Sequence, residues 1–317
     1  MIAVVTGAAG FIGSTLSRRL LDDGHKVTGI DALTKAYDIE LKIRNVDNLV
    51  DHRNFQLVYG DLTDPSSVDL LRNADVVFHL AGQASVTSSW GRSFETYARN
   101  NIMATQRLLD VLAGSAIKRF VYASSSSVYG EAMVMPTVET ALTRPISPYG
   151  VSKLAAENLC HAYQREQGIP VTSLRFFTVY GPAQRPDMAF HRMFRSVYRG
   201  EVFEVRGDGT ATRDFTFVGD VVEAILAAAS CGWNGVANVG GGNRVSLREV
   251  LAIVEEVAGP LNLRWGPTVA GDVRDTGADI DLARDALGWE PRTDLYTGLR
   301  TMAAWAEELL RTEPSHR

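Results

Sequence analysis

The stretch VVTGAAGFIG, Val4 to Gly13, decides the fold because three glycines follow the first apolar run at the spacing GxxGxxG. Gly7, Gly10 and Gly13 permit a tight turn from a strand into a helix and let the backbone approach a pyrophosphate. The N-terminus of that helix offers N–H groups and a dipole that favours an anion. Because the spacing differs from GxGxxG, the prediction of a dinucleotide-binding loop depends on the strand–turn–helix context.

Short β-branched runs alternate with amphipathic stretches along the first half of the chain. The strand-like runs lie at 2–5, 27–30, 55–59, 75–80, 119–124 and 171–176. Helical spacing of apolar residues appears at 14–22, 99–113 and 151–167. This alternation predicts an α/β fold, a Rossmann-type doubly wound parallel sheet with helices on both faces.

After residue 176 the chain is punctuated by Gly, Pro and Arg, and its helical stretches are 188–199, 219–230, 246–257 and 297–310. We therefore predict a Rossmann domain over residues 1–176 and a smaller α/β substrate-binding domain over 177–317. The boundary is approximate, and we expect some C-terminal segments to return to the first domain. The cleft between the two domains is the expected ligand site.

Composition limits the classes of function. The 317 residues are 45% hydrophobic and carry a net charge of −5, which argues against nucleic acid as a partner. Two cysteines without a CxxC pattern, Cys160 and Cys231, predict buried free thiols and no metal site. No apolar run reaches 18 residues, so we expect a soluble cytoplasmic protein that does not enter a membrane.

Other strand ends also fit a dinucleotide. Asp31 closes the second strand 18 residues after the last glycine of the loop, where an acid would accept hydrogen bonds from ribose hydroxyls. A carboxylate there would repel a 2′-phosphate, so NAD is favoured over NADP. Asp61 and Leu62 are expected near the adenine, and Ala81 and Gly82 against the body of the cofactor.

The stretch SPYGVSK, residues 147–153, places Tyr149 and Lys153 four residues apart on one helical face. A lysine ammonium beside a phenol lowers the pKa of the phenol, and a cationic nicotinamide lowers it further. The tyrosine can then act as a base toward an alcohol near neutral pH. A YxxxK pattern is common by chance, so this pair needs support from other motifs.

That support comes from an ordered set of motifs that resembles the extended short-chain dehydrogenase/reductases, specifically their nucleotide-sugar epimerase/dehydratase group. The motifs are TGAAGFIG (6–13), SSSSVYG (124–130), SPYGVSK (147–153), RFFTVYGP (175–182), TRDFTFVGD (212–220) and ALGWEP (286–291). The chain departs from the family pattern at Gly82, Thr87 and Gly219, where Ala, Arg and Asp are usual. Two of these departures flank or lie in the loop 84–93, which is expected near the sugar.

The resemblance implies a set of site residues. Ser125 joins Tyr149 and Lys153 as the catalytic set, Asn101 helps order the cofactor helix, and Phe177 to Val179 cover the nicotinamide. Together with the motifs, it predicts these cofactor-binding residues: Gly7, Gly10, Phe11, Ile12, Gly13, Asp31, Asp61, Leu62, Leu80, Ala81, Gly82, Gln83, Asn101, Ser124, Tyr149, Lys153, Phe177 and Val179.

The shared first step in the family is oxidation of the sugar at carbon 4, and the resulting ketone can be dehydrated, decarboxylated or reduced again. Dehydratases typically have Asp and Glu after the catalytic serine, and decarboxylases have Glu at the second position. Here these positions are Ser126 and Ser127. Because serine cannot do carboxylate acid/base work without a neighbouring base, 4-epimerisation is the predicted reaction.

The substrate end is predicted from GPAQRPDMA (181–189) and YDIELKIRN (37–45), which resemble segments of UDP-glucuronate 4-epimerases. Arg185 offers a planar fork suited to a uronic acid carboxylate, although an ion pair with Asp187 is the structural alternative. Arg213 and Arg274 match arginines that clamp the pyrophosphate in the family. The predicted substrate-binding residues are Ser125, Ser126, Ser127, Tyr149, Thr178, Arg185, Met188, Arg192, Arg213 and Arg274.

Three alternatives stay open on the sequence alone. Two are enzymes, a UDP-glucose 4-epimerase and a UDP-glucuronate decarboxylase, and the third is an NAD-binding regulatory protein that has lost turnover. The family often forms homodimers through two helices, here about 99–113 and 151–167, so a homodimer is expected. The predicted small-molecule partners are NAD and a UDP-sugar.

Overall fold

The computed structural model describes residues 1–267 and 273–312. The strands are β1 Ile2–Thr6, β2 Lys26–Asp31, β3 Phe55–Tyr59, β4 Val76–His79, β5 Arg119–Ser125, β6 Val171–Phe176, β7 Thr178–Tyr180, β8 Phe203–Arg206, β9 Thr212–Phe217, β10 Gly235–Val239, β11 Arg244–Ser246 and β12 Leu263–Gly266. The helices are α1 Phe11–Asp22, α2 Ile39–Val50, α3 Pro65–Val68, α4 Phe94–Tyr97, α5 Ala104–Leu112, α6 Pro148–Gln167, α7 Ala189–Arg199, α8 Val218–Ser230, α9 Leu247–Ala258, α10 Asp281–Leu287 and α11 Leu295–Thr312. A π-helical stretch, Ala98–Met103, joins α4 to α5.

Seven parallel strands form the main sheet in the order β10-β6-β5-β4-β1-β2-β3. The order reverses between β1 and β4, which creates the crevice where doubly wound sheets bind ligands. The predicted Rossmann-type sheet is confirmed, and its six N-terminal strands begin and end within two residues of the predicted runs. The seventh strand, β10, comes from the second half of the chain.

Both faces of the sheet are buried, as expected for parallel strands. Val5 packs in one core layer with Leu16 of α1 and Ile225 of α8, and Val4 packs in the opposite layer with Leu108 of α5. Neighbouring residues of β1 thus serve opposite layers because side chains alternate along a strand. Helix α8 and strand β10 come from the second half of the chain but pack onto the sheet of the first 176 residues. The domain boundary at residue 176 stays a prediction.

The second half has a separate aromatic core. Tyr180, Phe190 and Phe194 are buried there between α7, α9 and α11. Two small sheets, β11-β9-β7 and β12-β8, complete this half. The four helices predicted after residue 176 are present as α7, α8, α9 and α11.

Cys160 is fully buried, whereas Cys231 is only partly buried, so the prediction of two buried thiols is wrong for Cys231. Its position after the last turn of α8, next to the loop that leads to β10, leaves it at the edge of the core. Within residues 1–267 and 273–312, no helix has the length and apolar character needed to cross a membrane.

Candidate active site

A cavity of about 710 Å³ lies at the carboxyl ends of β1, β2, β4, β5 and β6, at the point where the strand order reverses. It is lined by most of the residues that the sequence predicted for a cofactor and a sugar nucleotide. These are Gly7, Gly10, Phe11, Ile12, Gly13, Asp31, Asp61, Leu62, Leu80, Ala81, Gly82, Gln83, Ser124, Ser125, Ser126, Ser127, Tyr149, Lys153, Phe177, Thr178, Val179, Arg185 and Met188.

The glycine loop forms one wall of this cleft. Gly7 has a φ of +71°, and a Cβ there would lie 2.9 Å from the main chain of Ala81. A Cβ on Gly13 would overlap the carbonyl oxygen of Gly7. The first turn of α1 begins at Phe11 and borders the cleft. Because this turn contains no acidic residue, its N–H groups and the helix dipole favour an anion there.

Asp31 is held rigidly at the end of β2. Its carboxylate accepts hydrogen bonds from the N–H groups of Ala9 at 3.1 Å and Leu33 at 2.8 Å. Lys42 of α2 lies with its Nζ atom 3.8 Å from the same carboxylate and 5.1 Å from the centre of the Tyr37 ring. A fixed carboxylate at this place fits the two hydroxyls of a ribose.

Asp61, at the adjacent strand end, is also fixed. Its carboxylate accepts hydrogen bonds from the N–H and the hydroxyl of Thr63, at 2.8 and 2.7 Å, and pairs with Arg99 at 2.8 Å. Despite some desolvation, these bonds hold the pKa of Asp61 below its usual range. The carboxylate is therefore ionised and held in one orientation. Such a fixed group suits the wall of the predicted adenosine pocket.

A buried histidine, which the sequence analysis did not identify, supports the loop after β4. The Nδ1 atom of His79 lies 2.8 Å from the hydroxyl of Thr6, and its Nε2 atom lies 2.9 Å from the hydroxyl of Thr105. Burial lowers the pKa of His79 to about 3, so the imidazole stays neutral. Since Thr6 also accepts the N–H of Ala81, the histidine fixes the loop that carries Ala81 and Gly82.

Asn101 lies behind the cleft wall and not on it. Its side chain accepts the N–H of Gln83 at 2.7 Å and donates to the Gln83 carbonyl at 3.0 Å and to the Ser152 hydroxyl at 2.8 Å. A Cβ on Gly82 would lie 2.9 Å from the Asn101 side-chain oxygen and 3.4 Å from the Lys153 ammonium. The departure at Gly82 therefore makes room where the loop, the asparagine and the lysine meet.

Helix α6 places the predicted catalytic pair in its first two turns. The Ser147 hydroxyl caps the helix by accepting the N–H of Gly150, and Pro148 occupies the first turn. The Nζ atom of Lys153 donates to the carbonyl of Ala123 at 2.8 Å. Burial lowers the pKa of Lys153 to about 8, so its ammonium form is costly in the folded chain.

The pKa of Tyr149 is raised, because burial outweighs the hydrogen bond with Ser125 and the positive charge of Arg185. The sequence had predicted a phenol with a lowered pKa. The difference arises because burial disfavours the charged phenolate. The Lys153 ammonium donates to the carbonyl of Ala123. The protein residues alone therefore hold Tyr149 protonated.

The serine row divides in two. Ser124 donates its hydroxyl to Glu157 at 2.6 Å, and Glu157 forms a buried ion pair with Arg175 at 2.6 and 3.1 Å. Ser125 ends β5, borders the cleft, and accepts the N–H of Ser127 at 3.1 Å. The ion pair thus anchors the strand end through Ser124, while the hydroxyl of Ser125 makes a hydrogen bond with Tyr149.

The loop 84–93 borders the sugar side of the cleft through Ala84, Ser85, Val86 and Ser88. The hydroxyl of Tyr97 donates to the carbonyls of Ala84 at 3.0 Å and Ser85 at 2.9 Å. The Tyr97 ring also meets the ring of Tyr149 edge-on, with centroids 6.3 Å apart. Tyr97 therefore fixes the loop and packs against the predicted base.

Arg185 and Asp187 form a two-pronged ion pair on the sugar side. The Nε atom of Arg185 donates to one carboxylate oxygen of Asp187 at 2.9 Å, and Nη2 donates to the other at 2.6 Å. The Arg185 side chain is 20% exposed and that of Asp187 is 48% exposed. The ion pair that was the structural alternative is present, yet both residues also line the cleft with Tyr149.

Comparison with known proteins follows from this geometry. The sequence of this chain matches the NAD dependent epimerase/dehydratase family over residues 3–240. The chain belongs to this family. The predicted resemblance is confirmed, and so is NAD as the cofactor, since the family is NAD dependent and solved relatives contain NAD. The glycine cradle and Asp31 fit that cofactor.

Individual members of the epimerase/dehydratase family are similar over their full length. The UDP-glucuronic acid 4-epimerase from Bacillus cereus, in complex with UDP-glucuronic acid and NAD, has a TM-score of 0.94 at 39% identity and covers 98% of this chain and 100% of its own. MoeE5, in complex with UDP-glucuronic acid and NAD, has a TM-score of 0.88 at 42% identity with the same coverage. The uncharacterized UDP-glucose epimerase YtcB of Bacillus subtilis (strain 168) is 42% identical over 99% of this chain and 100% of its own length.

Four predicted site residues do not line the cleft: Asn101, Arg192, Arg213 and Arg274. The guanidinium of Arg192 lies over the ring of Phe203 at 5.4 Å. Arg213 donates to the Arg274 carbonyl at 2.7 Å, and the Arg274 side chain is 76% exposed. Their roles toward a UDP group stay predictions.

Several residues of the site were missed by the sequence analysis as functional: Tyr37, Lys42, His79, Tyr97, Glu157 and Asp187. The first two belong to YDIELKIRN, a segment that resembled the UDP-glucuronate subgroup but had received no role. Asp187 had appeared only as the alternative partner of Arg185. The remaining three act through buried hydrogen bonds that no local sequence pattern indicates.

Proposed function

We propose that this enzyme converts UDP-glucuronate to UDP-galacturonate by epimerisation at carbon 4. The observation that carries the proposal is the guanidinium of Arg185 in a cleft that also holds Tyr149 and two serines in place of acids. Support comes from relatives at 39% and 42% identity that were solved with UDP-glucuronic acid and NAD.

The cofactor-binding role falls to the glycine loop, the N-terminus of α1 and the carboxylate of Asp31. When bound there, NAD supplies the acceptor and later the donor of the carbon-4 hydride, together with a positive charge near Tyr149. Asn101 holds the loop next to Gly82 through its hydrogen bond with the N–H of Gln83. This assignment uses the cradle in which Gly7 and Gly13 leave no room for a side chain.

The proton at the reacting hydroxyl is assigned to Tyr149. Burial keeps this phenol protonated in the chain by itself, so it becomes a base only when positive charge is added beside it. Its ordinary partners, Ser125 and Arg185, already act in that direction. After the sugar ring turns over and the hydride returns to the opposite face of carbon 4, the same phenol would return the proton to the carbon-4 oxygen. A tyrosine-to-phenylalanine mutant of the Bacillus cereus enzyme, solved with a 4-deoxy-4-fluoro substrate analogue and NAD, is in line with this role.

The chain provides no acid–base group for elimination at the positions where dehydratases have one. Ser126 and Ser127 stand there. Asp187 does line the sugar side, but its ion pair with Arg185 holds its pKa below the usual range. An ionised carboxylate that is bound to a guanidinium cannot donate a proton near neutral pH, so return of the hydride is the supported outcome.

A uronic acid brings a hazard, because oxidation at carbon 4 makes a β-keto acid that can lose carbon dioxide. We assign to Arg185, with Thr178 and the serines at 126 and 127, the task of holding the carboxylate out of alignment with the ketone. The free edge of the guanidinium suits a carboxylate in a two-pronged arrangement.

The test is an assay of the purified enzyme with UDP-glucuronate, UDP-glucose and their N-acetyl relatives, with carbon dioxide measured alongside the 4-epimer. We expect UDP-galacturonate as the main product, with carbon dioxide released only in a small measurable proportion. UDP-glucose is the second candidate substrate, because MoeE5 was also solved with UDP-glucose and YtcB is named a UDP-glucose epimerase. Faster turnover of UDP-glucose than of UDP-glucuronate would overturn the proposal.

Arg185→Ala provides the matched variant. We expect it to weaken binding of UDP-glucuronate by about 2 kcal/mol, the value of hydrogen bonds to a charged group, and to raise carbon dioxide release. Binding of UDP-glucose should change far less. If binding and carbon dioxide release both stay at the wild-type level, Arg185 does not contact the carboxylate.

We also propose that the protein is a cytoplasmic homodimer. Met103 at 48% and Val151 at 44% exposure offer apolar surface on the two helical segments that pair in related dimers. Free Cys160 and Cys231 suit a reducing compartment. A monomeric mass in light scattering at micromolar concentration would contradict the dimer.

A further inference from the structure

Asp187 occupies only one edge of the Arg185 guanidinium. The two bonds run from Nε and Nη2, at 2.9 and 2.6 Å. Within residues 1–267 and 273–312, Nη1 and the second N–H of Nη2 donate no hydrogen bond. The opposite edge of the planar group is therefore available to a ligand in a fixed direction.

Arg185 also borders a second cavity, of about 80 Å³. That cavity is bounded by Leu41, Arg44, Gln184 and Trp305, and Tyr37 lies on both it and the main cleft. An unrestrained arginine side chain carries about 2 kcal/mol of rotamer entropy, so a neighbouring space gives it an alternative place to lie. The ion pair with Asp187 removes that freedom.

We propose that Asp187 is a positioning residue that holds the Arg185 guanidinium in the cleft, with its Nη1–Nη2 edge toward the sugar carboxylate, and so favours epimerisation over decarboxylation. The inference deepens the proposed function and rests on it. In this assignment Asp187 does not contact carbon 4, its oxygen or the nicotinamide, and it acts only through Arg185.

The competing reaction shows why orientation matters. In the 4-keto intermediate, decarboxylation breaks the bond between carbons 5 and 6, carbon dioxide leaves, and the bonding electrons move through carbons 5 and 4 to the ketone oxygen as an enolate. A proton from water then adds at carbon 5. The bond that breaks must lie perpendicular to the plane of the carbonyl group, in line with its p orbitals. A guanidinium that holds the carboxylate closer to that plane therefore slows this step.

The side chain of Asp187 suits this role in two further respects. Its pKa is held below the usual range by Arg185, so the pair persists through the neutral and mildly acidic range. A two-pronged carboxylate–guanidinium pair fixes the plane of the guanidinium, which a single hydrogen bond does not. Asp187→Asn keeps the size of the side chain but can accept only one of the two bonds.

The experiment is a double-mutant cycle on the NAD-loaded enzyme with wild type, Asp187→Asn, Arg185→Ala and the double variant. For each, the ratio of carbon dioxide released to UDP-galacturonate formed is measured from UDP-glucuronate. We expect Asp187→Asn to raise this ratio about tenfold, equivalent to 1.4 kcal/mol. In the Arg185→Ala background the same change should have no further effect, since its target is gone.

Glu201→Gln is the matched control, because Glu201 forms a similar two-pronged pair with Arg195 outside the cleft. It should leave the ratio unchanged. An unchanged ratio in Asp187→Asn, or an equal rise in the presence and absence of Arg185, would overturn the proposal. Wild-type enzyme that forms no UDP-galacturonate would instead refute the proposed function.

A crystal structure of the NAD-loaded Asp187→Ala variant tests the positioning step without turnover. We expect the guanidinium to leave the cleft wall and lie toward the 80 Å³ cavity. A guanidinium in the wild-type position would overturn the proposal, whichever sugar nucleotide the enzyme uses.

Discussion

The two ends of the cleft are built from different parts of the chain. At the cofactor end, the wall is mainly backbone: Gly7 and Gly13 leave no room for side chains, and the first turn of α1 presents N–H groups. At the sugar end, the wall is side chains that come from separate elements, with Ser125 after β5, Tyr149 in α6 and Arg185 after β7.

This difference has a physical consequence for mutation. A backbone wall is sensitive to added atoms, because any Cβ at a close approach displaces main chain. A side-chain wall is sensitive to removed atoms, because a lost hydroxyl or charge removes the chemistry and leaves the shape. The following predictions test that contrast.

The largest effect is expected at the sugar end. Tyr149→Phe removes one oxygen, and we expect turnover to fall about 1,000-fold because proton transfer is lost. The amount of NAD that copurifies should stay the same, since the cofactor end is untouched. Tyr163→Phe on the same helix is the control, because its hydroxyl bonds Gln106 and Asp110 away from the cleft. A Tyr149→Phe enzyme without bound NAD would break the separation of the two ends.

At the cofactor end, an added methyl group should do the damage. A Cβ on Gly13 overlaps the Gly7 carbonyl, so Gly13→Ala should destabilise the fold by about 1–3 kcal/mol and release NAD. Gly232→Ala meets no atom within 4 Å and serves as the control. Calorimetric unfolding and the absorbance of bound NAD measure both effects. Equal behaviour of the two variants would contradict a backbone-built wall.

The buried Lys153, which lies between the two ends, should reduce the stability of the fold in exchange for activity. Its pKa falls from 10.5 to about 8 on folding, so below pH 8 the folded chain must keep a charge that burial disfavours. Lys153→Met should abolish turnover yet stabilise the NAD-free protein by about 2 kcal/mol at pH 7, after allowance for the lost bond to Ala123. That advantage should shrink as the pH rises from 8 to 10.5. A destabilised variant at pH 7 would contradict this account of the buried ammonium.

The smallest effect concerns Asp31, the side-chain contribution within the backbone-built end. Asp31→Asn keeps the shape but removes the charge, and we expect NAD affinity to fall about tenfold and the preference over NADP to narrow. Titration of both cofactors into the NAD-free protein measures this. Asp38→Asn, at the exposed N-cap of α2, is the control. An unchanged preference would show that the charge of Asp31 does not govern discrimination.

More of the residues predicted for the cofactor than of those predicted for the sugar nucleotide line the cleft, and the contrast explains why. Glycine spacing and a strand-end aspartate are local in the chain, so Gly7, Gly13 and Asp31 could be predicted together. Tyr149 and Lys153 were predictable because one helical face carries both. Arg213 and Arg274 were assigned by resemblance, and the structure places neither on the cleft.

Supporting residues escaped prediction because their partners are distant along the chain. His79 contacts Thr6 and Thr105, and Glu157 contacts Ser124 and Arg175, so their function exists only when strands and helices are packed. The strand β10 was missed for a related reason. Its glycine, alanine and asparagine give it little strand character, and pairing with β6 fixes it.

The sequence by itself determined the doubly wound sheet, the glycine-rich loop after β1 and the absence of acids directly after Ser125, because each follows from local spacing and residue type. The tertiary structure decided that burial keeps Tyr149 protonated in the chain alone. It also decided that Asp187 holds one edge of Arg185 while the other edge stays open. Desolvation and the direction of a hydrogen bond depend on neighbours from several elements, and no stretch of sequence contains them.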